Sequence, residues 1–459
     1  MGTVLRTLAP DSGVRDLPLV EREARMPAGF VAGGTAIGIK ESRRPDLALI
    51  AADRPVAVAA TFTRNLFAAA PVRLTQGNLA ATEPDGRGSY GWARAVVATS
   101  GSANAGTGAA GDADQAEICA HAASLFAAEE RHVLALSTGL IGTRLPVDTV
   151  RAGLERLVPL LSTDDAALLA AGEALRTTDS RTKVASTTVV QPDADGLAVR
   201  SATVSGIAKG VGMIHPQMAT MLAVVVTDAA AAPRDLSAIL GPVVARTWNQ
   251  LSVDGDTSTN DTVLLLASGR SGSAPVRPGS AAAEALSDGI EAVARDLARQ
   301  QAADGEGATT LITCRVSGAS DDADARALAR AVVSSSLVKA AAHGRDPNWG
   351  RIVAAAGNAR LPSADGLVLA GIPEREAVMR VGQPASLDPD RLRVAIAGHL
   401  VFDGRSGGPV DFDPAPVASA MATDELEITL DVGLGTGGGE AWGCDLTEEY
   451  VRENADYTT

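Results

Sequence analysis

The 459-residue chain is 46% hydrophobic and 21% charged, the balance of a soluble globular protein with a sizeable core. A net charge of −15 argues against nucleic acid and against anionic membrane surfaces, because both are met with clustered Lys and Arg. Three scattered cysteines, Cys119, Cys314 and Cys444, exclude a disulfide framework and a cysteine zinc site, and fit a reducing, cytoplasmic setting.

In chain order, the first 26 residues are polar and aperiodic and predict a loosely held arm with no signal-peptide pattern. No apolar run reaches the ~20 residues of a membrane span. Residues 29–40 and 47–63 are β-branched runs split by Gly, Asp and Pro, and predict strands. Residues 83–91 predict a surface loop, and 93–111 a strand passing into a Gly/Ala/Ser loop. An Ala-rich helix with an acidic cap is predicted over 112–129, then a strand and glycine loop over 132–142. After Thr220 come an apolar strand, a helix from Arg234, a strand over Asp261–Gly269 and a long amphipathic helix. A strand at Thr309–Ala319, one helix from Asp322 to Gly344 and short C-terminal strands complete the chain. Strands and helices mix without a repeat, which predicts a layered α+β fold, with a doubly wound sheet as the alternative.

Several motifs invite chemistry. Gly433, Gly435 and Gly438 fit G-x-G-x-x-G after a strand, but too little chain follows for the helix and acidic residue of a dinucleotide site, so a turn is expected. The histidines His121, His132, His215, His343 and His399 do not cluster. Asp254, Asp256 and Asn260 suggest calcium. Counted from Asp254, however, Thr259 and Leu265 stand where the EF-hand loop needs Gly and Glu, so a polar site loop is expected instead. Arg345, Asp346, Asn348 and Arg351 share a Pro/Gly turn that reads equally as a structural corner or a carboxylate site.

Thr220 is the sharpest candidate. It stands at the mouth of an apolar strand, where Thr is common for structural reasons. Cleavage of the Ala219–Thr220 bond would place a free α-amine beside the Thr220 hydroxyl, a base of pKa near ~8 next to its nucleophile. Thr138 and the Gly139 amide, in the strand-ending glycine loop, offer an oxyanion hole.

At this point the residues go beyond a generic pattern. "GFVAGGTAIGIK", "FTRNLFAAAPV", "TSGSANAGTG", "STGLIG", "TTD", "AKGVGMIHPQMATML", "VDGDTSTNDTVLLLA", "DGEGAT", "VKAAAHGRDPNWGRI" and "CDLTEEYVRENADYTT" stand in order along nearly the whole chain. Together they resemble the ornithine acetyltransferase family, the bifunctional glutamate N-acetyltransferases of arginine biosynthesis. The resemblance implies an αββα sandwich of the self-processing N-terminal-nucleophile type with a smaller second domain in the C-terminal part. It implies self-cleavage into an α chain of residues 1–219 and a β chain of 220–459, assembled as a heterotetramer or larger. Thr220 would be the nucleophile, Thr138 and Gly139 the oxyanion hole, and Thr178, Lys209, Thr220, Glu306, Asn454 and Thr459 the substrate contacts. The implied reaction moves acetyl from N2-acetylornithine to glutamate through an acetyl-threonine, with no metal or cofactor and with acetyl-CoA open as a co-substrate. Lys209 and Glu306 have the charges to meet the donor's carboxylate and ammonium.

The chain departs from the family pattern at Ser102, Gly106, Arg181 and Gln217, and carries extra residues near 83–91 and 192–196. These leave open a paralogue in specialised metabolism. Two further readings are a self-processed amidase or peptidase and an uncleaved binding scaffold.

Overall fold

The computed structural model describes residues 17–192, 199–215 and 221–456. Its strands are β1 (Phe30–Thr35), β2 (Leu47–Phe62), β3 (Tyr90–Ser102), β4 (Val133–Leu140), β5 (Lys183–Pro192), β6 (Val199–Lys209), β7 (Leu222–Thr227), β8 (Leu251–Ser252), β9 (Thr262–Ala267), β10 (Leu311–Ala319), β11 (Arg393–Ile396), β12 (His399–Asp403), β13 (Gly408–Pro409), β14 (Glu425–Asp431) and β15 (Gly437–Cys444). They form two mixed sheets. The larger runs β4-β3-β2-β9-β7-β6-β5, with β1 also paired to β2, and the smaller runs β13-β12-β11-β14-β10-β15-β8.

The apolar runs become strands because both faces of the larger sheet are covered. In β7, Ala223 and Val225 point to one hydrophobic cluster while Leu222, Val224 and Val226 point to another, the two-residue period of a strand buried on both sides. One side is covered by the Asp165–Leu175 helix through Leu168, Ala171 and Ala174. The other is covered by the Pro233–Arg246 and Ala281–Ala303 helices through Leu240, Val243, Val293 and Leu297. The opposite flank of the Ala281–Ala303 helix reaches the smaller sheet, where Arg295 donates to Glu440 at 2.8 Å and Arg299 donates to Glu425 at 2.8 Å. The Asp322–Ser334 helix then covers the far face of that sheet, packing Leu328 and Val332 with Ile312, Cys314 and Ala441. The expected α+β sandwich is therefore present: a hydrophobic cluster joins Ile50, Val96 and Leu134 of β2, β3 and β4 to Ile207, Val224 and Leu264 of β6, β7 and β9. One hydrophobic cluster is drawn wholly from residues between Ile312 and Ala441.

Local differences have local causes. The helix expected over 112–129 spans Gly108–Leu125, so the small residues before the acidic cap form its first turn. It stops before Ala127, whose φ of 48° is left-handed. The single helix expected from Asp322 is two, because the Ser335 hydroxyl accepts from the Val338 amide and caps a new start. Of the expected loose arm, residues 17–26 are held: Glu21 bridges Ser186, and Arg22 pairs with Asp296 at 3.0 Å. Among the described residues, no helix is long and apolar enough to cross a membrane.

Candidate active site

The ends of β3, β4 and β6 and the starts of β7 and β9 converge on one cleft, although β2 pairs its start with the end of β3 and its end with the start of β9. β3 and β4 run parallel, with Ser100 opposite Thr138 and Gly101 opposite Gly139. Gly139 has φ of +127°, a conformation that side-chain residues rarely adopt, and a Cβ there would lie 2.4 Å from the Gly101 carbonyl carbon. Glycine is thus what lets β4 end in this irregular pairing.

Lys209 ends β6 opposite Leu222, the first residue of β7. Its Nζ donates to Thr138 Oγ1 at 3.0 Å, and its carbonyl accepts from Gln301 Nε2 at 2.8 Å. Gln301 is fixed in turn by the fully buried Trp248, whose Nε1 donates to it at 3.0 Å. Burial lowers the Lys209 ammonium below the ordinary lysine value, against the attraction of Asp179, Glu306 and Asp261.

Glu306 faces this corner from the loop after the Ala281–Ala303 helix. Its Oε1 accepts from Thr178 Oγ1 at 2.8 Å, and its Oε2 accepts from Asn454 Nδ2 at 3.0 Å. The Glu306 amide donates to the Val211 carbonyl at 2.9 Å. Gly212 makes the approach feasible: a Cβ there would sit 2.3 Å from Glu306 Oε2. Asn454 arrives on the C-terminal Glu448–Asp456 helix, which is docked through the Thr447 hydroxyl to the Gly307 carbonyl at 2.7 Å.

Thr138, Gly139, Thr178, Lys209, Glu306 and Asn454 line one cleft with a cavity volume of about 170 Å³. Ala219, Thr220 and Thr459 lie outside the described residues. Met221, bonded to Thr220, lines the cleft, and its carbonyl accepts from the Thr262 amide at 2.9 Å. The polar loop 258–261 lines it too, as expected of a site loop. Asn260 Nδ2 donates to the carbonyls of Ala103 at 2.6 Å and Ser137 at 2.8 Å, tying the loop to the ends of β3 and β4. Among the described residues, no group of three or more His, Cys, Asp and Glu side chains is placed to hold a metal ion. Asp254 instead accepts the Ile214 and Asp256 amides, at 2.9 and 3.1 Å.

Three buried charges support this corner. Lys183 Nζ donates to Asp179 Oδ1 and to Asp304 Oδ2, each at 2.6 Å, and Asp179 Oδ1 also accepts the Gly210 amide at 2.9 Å. Burial would raise the Asp179 carboxyl, but the Lys183 and Lys209 ammonium groups outweigh it and hold it below the usual carboxylate range. Lys40 is a further neighbour; burial lowers it to about 8, with Lys209 adding to the shift and Asp46 and Glu173 opposing it. None of these roles was visible in the sequence: Asp179 and Lys183 sit in a turn and a strand start, and Asp304 is far along the chain.

His215 is not a base for this cleft. Its Nδ1 lies 3.0 Å from Ser252 Oγ, its ring lines a different cavity, and burial with Arg330 and Lys339 nearby pushes its pKa down to about 3. The Arg345–Arg351 turn is a corner: Asn348 Oδ1 accepts the Arg351 amide at 3.3 Å, and Arg351 Nη1 donates to the Leu337 carbonyl at 2.9 Å. The glycine run 433–439 turns β14 into β15, and a Cβ on Gly437 would lie 2.2 Å from the Asp321 carbonyl carbon.

The ArgJ family model matches residues 31–459. The arginine biosynthesis bifunctional protein ArgJ of Thermus thermophilus is 42% identical over 437 residues, covering 95% of this chain and 99% of its own. Its namesake in Deinococcus radiodurans is 41% identical over 437 residues, covering 95% and 98%. Among solved structures, an arginine biosynthesis bifunctional protein argJ chain of Bacillus halodurans is 34% identical with a TM-score of 0.44, covering 52% of this chain and 100% of that one.

Proposed function

The chain belongs to the ArgJ family of acetyl-transferring enzymes of arginine biosynthesis, and we propose that it moves the acetyl group of N2-acetylornithine to glutamate through an acetyl-threonine at Thr220. The observation that carries this reading is the convergence of Thr138, Gly139, Lys209 and Glu306 on a cleft that Met221 also lines.

Cleavage at Ala219–Thr220 gives chains of residues 1–219 and 220–459. β7 and β9 lie between β2 and β6, so both chains contribute adjacent strands to one sheet and stay joined after cleavage. The Thr220 amine takes the proton from Oγ as Oγ attacks the acetyl carbonyl. The carbonyl electrons collect on oxygen, where Thr138 and the Gly139 amide act as donors. The carbon–nitrogen bond then breaks, and the proton held by the amine passes to departing ornithine. Glutamate enters the same cleft, its amine attacks the ester, and the proton returns to Thr220 Oγ. Glu306 meets the side-chain ammonium of the ornithine donor. Lys209 has three N–H donors, so its bond to Thr138 leaves others for a carboxylate. This chemistry runs on side chains and an amine alone, in the cytoplasm, in an assembly of both chains as a heterotetramer or larger.

The test is a transfer assay with N2-acetylornithine and glutamate, with and without acetyl-CoA. N-acetylglutamate and ornithine formed in equal amounts support the reading. Acetate and ornithine without N-acetylglutamate would make the protein an amidase. N-acetylglutamate formed from acetyl-CoA alone would add that co-substrate.

A further inference from the structure

A second cavity, of about 260 Å³, is lined in part by His215. Val211, Gly212 and Met213 line the catalytic cleft, whereas His215 lines this cavity. Its charged lining is Arg326, Arg330 and Arg360, and no Asp or Glu faces it among the described residues. That is unusual for a chain whose net charge is −15.

Arg330 stands apart from the other arginines of this region. Arg246, Arg295 and Arg299 each meet a glutamate, at 2.6, 2.6 and 2.8 Å. Nε and Nη2 of Arg330 are buried and have no hydrogen-bond partner. Burial lowers its pKa to about 10 with no carboxylate opposing the shift. Arg326 is 8% exposed, and its nearest carboxylate oxygen, on Asp322, is 3.9 Å away. A buried guanidinium without a counter-ion is costly, and its planar fork matches an oxyanion in two-point contact.

We propose that this cavity binds a small molecule through an oxyanion group, phosphate or carboxylate, with Arg330 as the central ligand and Arg326 and Arg360 beside it. Ala327, Leu361 and Leu367 give the remaining wall an apolar character, which suits a compact organic anion. The site is separate from the cleft of the acetyl transfer and does not depend on that reaction.

The test is calorimetric titration of the purified full-length protein with inorganic phosphate and, separately, with butyrate. Saturable binding of at least one anion is expected, together with a rise in the unfolding temperature. Binding of phosphate alone marks a phosphorylated ligand, and of butyrate alone a carboxylated one. Arg330→Met should abolish the binding and, in anion-free buffer, unfold at a higher temperature than wild type, because it removes an unpaired buried charge. Arg360 is exposed, so Arg360→Gln should fold normally and bind about tenfold more weakly, the loss of one charge-assisted hydrogen bond. Lys209→Met should bind as wild type, which separates this cavity from the catalytic cleft. Failure of both anions to bind saturably would overturn the proposal. So would binding unchanged in both arginine variants, or an anion-free Arg330→Met protein that unfolds at a lower temperature than wild type.

Discussion

Lys209 Nζ donates a hydrogen bond to Thr138 Oγ1 across 3.0 Å, joining the end of β6 to the end of β4. With a lone pair of its oxygen so engaged, the Thr138 hydroxyl directs its own proton elsewhere, and the cleft is where an oxyanion needs it. Thr138→Ala should therefore lower kcat by about 10²–10³, the usual effect of losing one such donor. Lys209→Met should also lower kcat, and the double variant should fall well short of the product of the two losses, because both act through one hydroxyl. Steady-state kinetics of the three variants provides the check; fully multiplicative losses would mean that the two residues act separately.

Gly212 keeps space for Glu306. A Cβ would intrude to 2.3 Å from Oε2, while the bond from the Glu306 amide to the Val211 carbonyl holds the backbone in place. The carboxylate of Gly212→Ala must swing away from Thr178 and Asn454. We expect KM for N2-acetylornithine to rise about tenfold, with a smaller change in kcat, as fits loss of a charge-assisted contact to substrate. An unchanged KM would take Glu306 out of substrate binding.

The Asp179–Lys183–Asp304 cluster is dry enough for its loss to dominate stability. Lys183→Met strands two buried carboxylates and should cost about 3–5 kcal/mol at neutral pH. The Asp179 carboxyl is depressed in the native state, so its stabilising effect is full above the unfolded value near ~3.9 and fades as pH falls below it. In Lys183→Met the carboxylates lose that support and protonate more readily. The penalty measured by urea unfolding should thus be largest at neutral pH and shrink in acid; a constant penalty would show that the cluster is not ionic.

Lys40 titrates at about 8 in the folded chain against an ordinary value of 10.5. Between these values the native state binds fewer protons than the unfolded one, so stability contributed at this position rises with pH. Unfolding of wild type and Lys40→Met at several alkaline pH values checks the sign. The variant should lack this upward contribution.

The sequence blocks named Thr138, Gly139, Thr178, Lys209, Glu306 and Asn454, and the fold brings all six to one cleft. No spacing rule connects residues so far apart; only recognised neighbouring blocks could, and those carried the acetyltransferase reading. The strand around β7 was readable because its residues are apolar on both faces. What stayed hidden depends on tertiary approach. Asp304 meets Lys183 from across the chain, Gly212 matters only because Glu306 comes close, and the serines at 334–336 looked like continuous helix until a capping bond divided it. Arg330 was hidden for a related reason: on an amphipathic helix its charge reads as solvent-facing, whereas two of its guanidinium nitrogens are buried without a hydrogen-bond partner.

The most direct measurement of the central claim is the mass of the purified protein, taken before and after exposure to N2-acetylornithine without glutamate and followed by peptide mapping. We expect two chains divided between Ala219 and Thr220, and one acetyl group on Thr220 of the second chain, removed when glutamate is added. An uncleaved chain that still transfers acetyl groups, or an acetyl group carried on another residue, would contradict it.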